Sequence, residues 1–142
     1  PIGLDISEEV NKTSDVATDS RTLSVLIVDD EPEVAELIAE ILQLDGHHTE
    51  IANNGLLALK ALEKTDFQII LSDLRMPDFD GPWLFDKLQD QYPELVSRTA
   101  FVTGDTLSSD IARFLKDAGR PHIEKPITPK EVRSLVSLLL TP

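Results

Sequence analysis

Short apolar runs alternate with amphipathic helical patterns from Leu23 onward, and few folds accommodate such an alternation. The first run, Val25-Leu26-Ile27-Val28, is continuously apolar, as expected of a parallel strand that is covered on both faces. Further strands are predicted at 48–52, 67–72, 99–102 and 122–124, and a helical pattern follows each of the five strands. Five βα repeats imply right-handed crossovers and a parallel sheet between two layers of helices.

The predicted helices carry their own start and stop signals. Asn54 and Thr128 are good N-caps, and Glu131 three residues after Thr128 completes a capping box. Pro32 suits a first helical turn, and Gly119 suits a helix end. For one domain of this size, the predicted fold is a flavodoxin-like (βα)5 three-layer sandwich of the α/β class. Its parallel five-stranded sheet would have the order 2-1-3-4-5.

Composition bounds the domain organisation and the partners. A polar linker or leader is expected over residues 1–22 and a single domain over 23–142, and Pro1 indicates that the chain was cut from a longer protein. A net charge of −13 disfavours binding to nucleic acid or to an anionic membrane surface. The chain has no cysteine and no apolar run long enough to cross a bilayer. We therefore expect a cytoplasmic domain without direct nucleic-acid or membrane contact, which leaves open whether the parent protein is membrane-attached.

Polar side chains follow four of the predicted strands, at the edge where α/β sheets bind ligands. Asp29-Asp30 comes after the first strand, Asp73 after the third, Thr103 after the fourth and Lys125 after the fifth. In the order 2-1-3-4-5 these four strands are neighbours. Three carboxylates, one hydroxyl and one ammonium are therefore predicted to meet in one crevice.

Carboxylates packed together repel one another, and a divalent cation relieves that repulsion. Mg²⁺ prefers hard oxygen ligands and commonly joins one or two carboxylates to a phosphate oxygen. A carboxylate can also act as a nucleophile toward phosphorus. Asp73 is the predicted nucleophile, with Mg²⁺, Lys125 and the Thr103 hydroxyl neutralising the phosphoryl oxygens.

The sequence contains five short motifs, which are Val28-Asp29-Asp30, Ser72-Asp73-Leu74-Arg75-Met76-Pro77, Asp80-Gly81, Thr103-Gly104 and Glu124-Lys125-Pro126. With these motifs the chain is similar, over residues 23–140, to the receiver domain of two-component phosphorelays. The resemblance implies that Asp73 accepts a phosphoryl group from a histidine kinase or a histidine phosphotransfer domain. It implies that Asp29, Asp30, Asp73 and the backbone carbonyl of Arg75 hold Mg²⁺. Thr103 would be the switch hydroxyl and Lys125 the phosphate partner, with a cis peptide bond before Pro126. Phosphorylation would alter the face made by the fourth helix, the fifth strand and the fifth helix.

Four residues occupy positions that receivers use to switch conformation or to tune dephosphorylation, and one of the four departs from the receiver pattern. Receivers usually carry Tyr or Phe three residues before the lysine, where this chain has His122, so we hypothesise a switch that depends on histidine protonation. Arg75, Gly104 and Asp105 occupy the other switch and tuning positions. Arg75 and Asp105 are hypothesised to pair as a lid that restricts attacking water.

The stretches 103–108 and 120–126 resemble receivers fused to the C-terminal end of hybrid sensor histidine kinases. The resemblance implies such a parent, with residues 1–22 as the tether and this fragment as a self-phosphorylating receiver rather than a stand-alone enzyme. The chain ends directly after the last predicted helix, so no DNA-binding output domain is expected. Neither the signal nor the oligomeric state follows from the sequence.

Two alternatives from other functional classes remain. The first is a pseudo-receiver, an interaction module that keeps the fold without being phosphorylated; a complete acidic pocket argues against it. The second is a flavin binder, but two acids after the first strand would repel a cofactor phosphate.

Taken singly, Asp29-Asp30 would be read as a helix cap, Asp80-Gly81 as a turn and Lys125 as a solvated charge. Their joint placement at strand ends favours the receiver.

Overall fold

A computed structural model describes residues 22–104 and 108–141 of the chain. The predicted leader, apart from Thr22, and the tuning position Asp105 lie outside the described residues. The strands are β1 Ser24–Val28, β2 His48–Ala52, β3 Ile69–Asp73, β4 Thr99–Thr103 and β5 His122–Glu124. The helices are α1 Pro32–Leu44, α2 Gly55–Lys64, α3 Gly81–Gln91, α4 Pro93–Val96, α5 Ser109–Ala118 and α6 Pro129–Leu140.

The five strands form one parallel sheet in the order β2-β1-β3-β4-β5, which confirms the predicted topology. In the register of this sheet, Val28 at the end of β1 pairs with both Ala52 and Ser72. Thr103 at the end of β4 pairs with Glu124. The carboxyl ends of neighbouring strands are therefore level with one another, so residues that follow them share one edge of the sheet.

The sheet is covered on both faces, as the apolar runs predicted. One core cluster joins α1 and α6 to the sheet, and a second joins α2, α3 and α4 to the opposite face. A third, aromatic cluster joins α3, β4 and α5 through Phe85, Phe101 and Phe114, whose rings meet edge to face. The central strands β3 and β4 are buried throughout, whereas the edge strands β2 and β5 are largely exposed.

The helix signals behave as predicted. The Asn54 side chain accepts a hydrogen bond from the Leu57 N–H, and Thr128 and Glu131 form the reciprocal capping box at the start of α6. Gly119 ends α5 with a φ of 66°, a left-handed conformation that costs glycine little. These local devices fix where α2, α5 and α6 begin or end.

Two details differ from the sequence prediction. β3 begins at Ile69 rather than at residue 67, because Phe67 is buried but lies outside the strand. The four-residue helix α4, opened by Pro93, was not predicted, so the predicted fourth and fifth helices are α5 and α6.

No helix within the described ranges has both the length and the apolar character needed to span a bilayer.

Candidate functional site

Three aspartates meet at the carboxyl edge of the sheet. Asp29 follows β1 and Asp73 ends β3, and Asp30 lies beside Asp29. One carboxylate oxygen from each of the three lies within 4.8 Å of the other two. Asp29 and Asp73 are only 2% and 5% exposed, whereas Asp30 is exposed. The predicted convergence of the three carboxylates is therefore present in the structure.

Backbone donors hold the two buried carboxylates in place. Asp29 Oδ1 accepts a hydrogen bond of 2.9 Å from the Glu31 N–H, and Asp73 Oδ1 accepts one of 2.7 Å from the Leu74 N–H. The second oxygen of Asp29, Oδ2, is buried and accepts no hydrogen bond from the described residues. A buried carboxylate oxygen without a donor is costly unless a cation compensates it.

Lys125 supplies positive charge to the cluster from the end of β5. Its backbone N–H donates to the Thr103 carbonyl at 2.9 Å, which fixes the start of the side chain beside β4. Its Nζ lies 3.1 Å from Asp73 Oδ2, 3.4 Å from Asp29 Oδ2 and 2.5 Å from Glu31 Oε1. The Lys125–Pro126 peptide bond is cis, as the resemblance implied.

The crowding of like charges perturbs the acids. Burial raises the pKa of Asp29 from 3.8 to about 6, and the neighbouring Asp73 carboxylate adds to the rise. Burial likewise raises the pKa of Asp73, against the opposing effect of Lys125. For Lys125, burial lowers the pKa, but the hydrogen bond to Glu31 and the charges of Asp73 and Asp29 outweigh it and raise the pKa overall. One ammonium thus only partly offsets the repulsion among the carboxylates.

This cluster borders an open cavity of about 390 Å³, and the buried Asp29 lies behind the residues that line it. Thr103, which is buried at the end of β4, and Gly104 contribute to its wall. The remaining lining residues are Asp30, Glu31, Asp73, Arg75 and Lys125. The cavity therefore contains an acidic cluster, a hydroxyl and an ammonium around a space accessible from solvent.

The donor set fits a hard divalent cation. Three carboxylates offer oxygen ligands within a few ångströms of one another, and one of the buried oxygens lacks a hydrogen-bond donor. No histidine or cysteine belongs to the cluster, which favours magnesium over zinc. Arg75, whose backbone carbonyl was the further predicted ligand, lines the same cavity.

Of the predicted tuning positions, Arg75 and Gly104 line the cavity, and His122 lies away from it. The Arg75 guanidinium donates to Ser108 Oγ at 2.8 Å and lies 3.3 Å from Asp110 Oδ1. The hypothesised pairing of Arg75 with Asp105 stays a prediction, since Asp105 is outside the described residues. His122 is exposed on β5, where it pairs in register with Phe101 and lines a separate hollow between β5 and α6.

Sequence reasoning missed Glu31 and the structural reason for Gly81. Glu31 lines the cavity and contacts Lys125, and its position directly after two aspartates was the signal that could have found it. Gly81 was named within the Asp80-Gly81 motif and otherwise read as a turn, but its close approach to the segment of Asp73 was not predicted. A Cβ built on Gly81 would lie 2.6 Å from the Asp73 carbonyl oxygen and 2.8 Å from Leu74 Cα. Glycine is therefore needed where α3 approaches the segment that carries Asp73.

Comparison with known proteins agrees with this geometry. The family profile described as the response regulator receiver domain matches residues 25–137. The sensor histidine kinase RcsC of Escherichia coli is 28% identical over 134 residues, which cover 94% of this chain and 14% of the kinase.

Solved receivers have the same fold. The chemotaxis protein CheY4 of Vibrio cholerae superposes with a TM-score of 0.75 at 26% identity, covering 84% of this chain and 100% of that one. A CheY-like receiver domain protein of Methanospirillum hungatei gives 0.73 at 28% identity, covering 82% of this chain and 92% of that one.

The chain spans about 14% of the length of RcsC, so the match concerns one domain of that kinase. Receiver domains take part in two-component signalling, in which they partner with histidine kinases or phosphotransfer proteins. They generally use Mg²⁺ held by a cluster of acidic residues like the one at Asp29, Asp30 and Asp73. The sheet order, the acidic cavity and the profile match over residues 25–137 agree, and the chain belongs to the response regulator receiver domain family of two-component signalling.

Proposed function

We propose that this receiver accepts a phosphoryl group on Asp73 from a phosphohistidine, in a reaction that depends on Mg²⁺. The observation that carries the proposal is the convergence of three carboxylates and the Lys125 ammonium on one open cavity. A binding module without phosphotransfer has no need of such a costly cluster of buried acids. The pseudo-receiver alternative is accordingly not favoured.

Asp29, Asp30, Asp73 and the Arg75 backbone carbonyl would hold the metal ion. When bound, Mg²⁺ supplies the positive charge that lets the carboxylates and a phosphoryl group share the cavity. Asp29 Oδ2 accepts no hydrogen bond from the described residues and lies 3.4 Å from the Lys125 ammonium, so it is an oxygen that such an ion would satisfy. The three side chains are anchored on neighbouring strand ends, so they need little rearrangement to act together.

In the proposed transfer, a carboxylate oxygen of Asp73 attacks phosphorus as the N–P bond of phosphohistidine breaks. The products are an aspartyl phosphate on this chain and a free imidazole on the donor. Lys125 would donate to one phosphoryl oxygen and the Thr103 hydroxyl to another. Hydrolysis by water would later return the Asp73 carboxylate and release inorganic phosphate.

The proposed output is a shift between two conformations that begins at Thr103 and reaches the face made by α5, β5 and α6. Arg75, Gly104 and Asp105 are the proposed tuning positions, and His122 on β5 is the proposed switch residue. The lifetime of the phosphorylated form should then vary with pH around neutrality, and His122→Tyr should flatten that profile. Identical profiles would reject a switching role for His122.

The wider context is also a proposal. The match to a sensor histidine kinase supports a hybrid kinase as the parent, with residues 1–22 as the tether to it. The donor would be the histidine of a kinase or of a phosphotransfer domain. The proposed location is the cytoplasm, and the net charge of −13 argues against direct nucleic-acid contact.

The direct test is phosphorylation by acetyl phosphate, followed by intact mass measurement with and without Mg²⁺. We expect a single added phosphoryl group that requires Mg²⁺ and that Asp73→Asn abolishes. Asp86→Asn, which removes an exposed carboxylate from α3, is the matched control and should behave like the unsubstituted chain. No mass change in any sample would favour the pseudo-receiver.

A further inference from the structure

Glu31 joins the acidic cavity from the N-cap of α1. Its backbone N–H donates to Asp29 Oδ1 at 2.9 Å, which fixes the direction in which the chain leaves Asp29. Its side chain is 56% exposed, yet Oε1 reaches Lys125 Nζ at 2.5 Å, the shortest of that ammonium's three carboxylate contacts. Glu31 is therefore close enough to the site to influence the ammonium without being one of the clustered aspartates.

The Lys125 ammonium is shared among acids that have different tasks. Asp29 and Asp73, at 3.4 Å and 3.1 Å, are carboxylates that the proposed metal site needs. A cation entering the cluster must compete with the ammonium for these oxygens, because two positive charges repel at such distances. Glu31 is not one of the three clustered aspartates, so it can keep its contact with Lys125 while Asp29 and Asp73 bind the metal ion.

We propose that Glu31 is a positioning residue that retains the Lys125 ammonium and thereby lets Asp29 and Asp73 accept Mg²⁺. This inference rests on the proposed metal-dependent function and adds a residue to it. Without the Glu31 charge, the charged partners left to the ammonium among the described residues are the two aspartates. It then holds them more tightly and competes more strongly with the metal ion.

Glu33 provides a matched control for the charge itself. It is an exposed acid in the first turn of the same helix, two residues beyond Glu31. Glu31→Gln and Glu33→Gln remove the same net charge from nearly the same place. Any general attraction between the acidic surface and a cation should weaken similarly in both variants, whereas retention of Lys125 is lost only in Glu31→Gln.

The experiment is calorimetric titration of the metal-free protein with Mg²⁺. We expect Glu31→Gln to raise the dissociation constant about three- to five-fold more than Glu33→Gln does, the range that partly exposed ion pairs give. In a Lys125→Met background the two variants should bind Mg²⁺ equally. Urea unfolding of each variant checks that it is folded before titration.

A second readout separates positioning from a general loss of activity. With acetyl phosphate as donor, Glu31→Gln should raise the Mg²⁺ concentration for half-maximal phosphorylation more than Glu33→Gln does. Equal dissociation constants for Glu31→Gln and Glu33→Gln in the presence of Lys125 would overturn the inference. The inference would also be overturned if Glu31→Gln still raised the dissociation constant more than Glu33→Gln did in the Lys125→Met background. Failure of the unsubstituted chain to bind Mg²⁺ would instead reject the proposed metal role itself, and this inference with it.

Discussion

Asp29 shows how the site is maintained at the expense of stability. Its carboxylate is buried, one of its oxygens accepts no hydrogen bond from the described residues, and a second buried carboxylate lies close to it. An aspartate optimised for folding would be exposed or fully hydrogen-bonded. The residue is better suited to binding a cation than to stabilising the metal-free protein.

The pH dependence of stability tests this view of Asp29. Its pKa in the folded protein, about 6, lies above the ordinary value of 3.8, so the folded state holds the proton more tightly than the unfolded chain. The metal-free protein should therefore lose stability as the pH rises through this interval and regain it as the pH falls, by on the order of 1–3 kcal/mol. Urea unfolding in the presence of a chelator, at about pH 5 and about pH 7.5, measures the difference.

Asp29→Asn is the informative variant for that measurement. It should raise stability at the higher pH and reduce the difference between the two conditions, because an amide carries no charge to desolvate. Asp73, whose pKa is also raised by burial, will retain part of the dependence. The exposed control Asp86→Asn should leave the difference intact. An undiminished pH dependence in Asp29→Asn would contradict the account of this residue.

The positions of these side chains were largely predictable from the sequence. Asp29, Asp73, Thr103 and Lys125 each follow or end a strand, and the order of the sheet makes those strands neighbours. The contact between Glu31 and Lys125 was not predictable in the same way. It depends on the direction of two long side chains, which neither strand pattern nor periodicity specifies.

The junction between β3 and α3 depends on the absence of a side chain at Gly81. The Gly81 N–H donates to the Leu74 carbonyl at 3.0 Å, which draws the start of α3 onto the segment after Asp73. A Cβ there would meet backbone atoms closer than 3 Å. The two nearest atoms, the Asp73 carbonyl oxygen and Leu74 Cα, belong to the backbone, so they cannot move aside as a flexible side chain would.

Gly81→Ala should therefore destabilise the protein by about 1–3 kcal/mol, the cost of forcing extra atoms into a packed site. Gly104→Ala is the comparison, because a Cβ at Gly104 would lie 3.6 Å from Lys125 Cδ, an ordinary contact. That variant should change the free energy of unfolding by no more than about 0.5 kcal/mol. Equal losses of stability in the two variants, measured by urea unfolding, would show that the close approach at Gly81 is unimportant.

Elements with strong local signals were predicted well, and those without were not. Thr128, Asn54 and Gly119 mark helix ends through hydrogen bonds or a left-handed turn that the sequence spells out. The short helix α4 has a single turn, too brief for an amphipathic period to be recognised. Phe67 was wrongly assigned to β3. The apolar pattern indicates that a residue is buried, but a buried residue need not belong to the hydrogen-bonded strand.

Taken together, the molecule places its polar chemistry at one edge of an apolar sheet. Two helical layers bury the strands, and the parallel register brings the strand ends level, so side chains distant in sequence share one cavity. The cavity is anionic within a chain whose net charge is already −13. A divalent cation and a phosphoryl group would together occupy it with little net change of charge.

The most direct test is to locate the phosphoryl group in the chain. After reaction with acetyl phosphate and Mg²⁺, borohydride reduction converts an aspartyl phosphate to homoserine, and peptide mass spectrometry finds the altered position. We predict homoserine at position 73 alone, and none when Mg²⁺ is omitted. Homoserine at position 29 or 30 would contradict the assignment of Asp73 as the acceptor. So would the absence of homoserine from a chain whose mass had shown an added phosphoryl group.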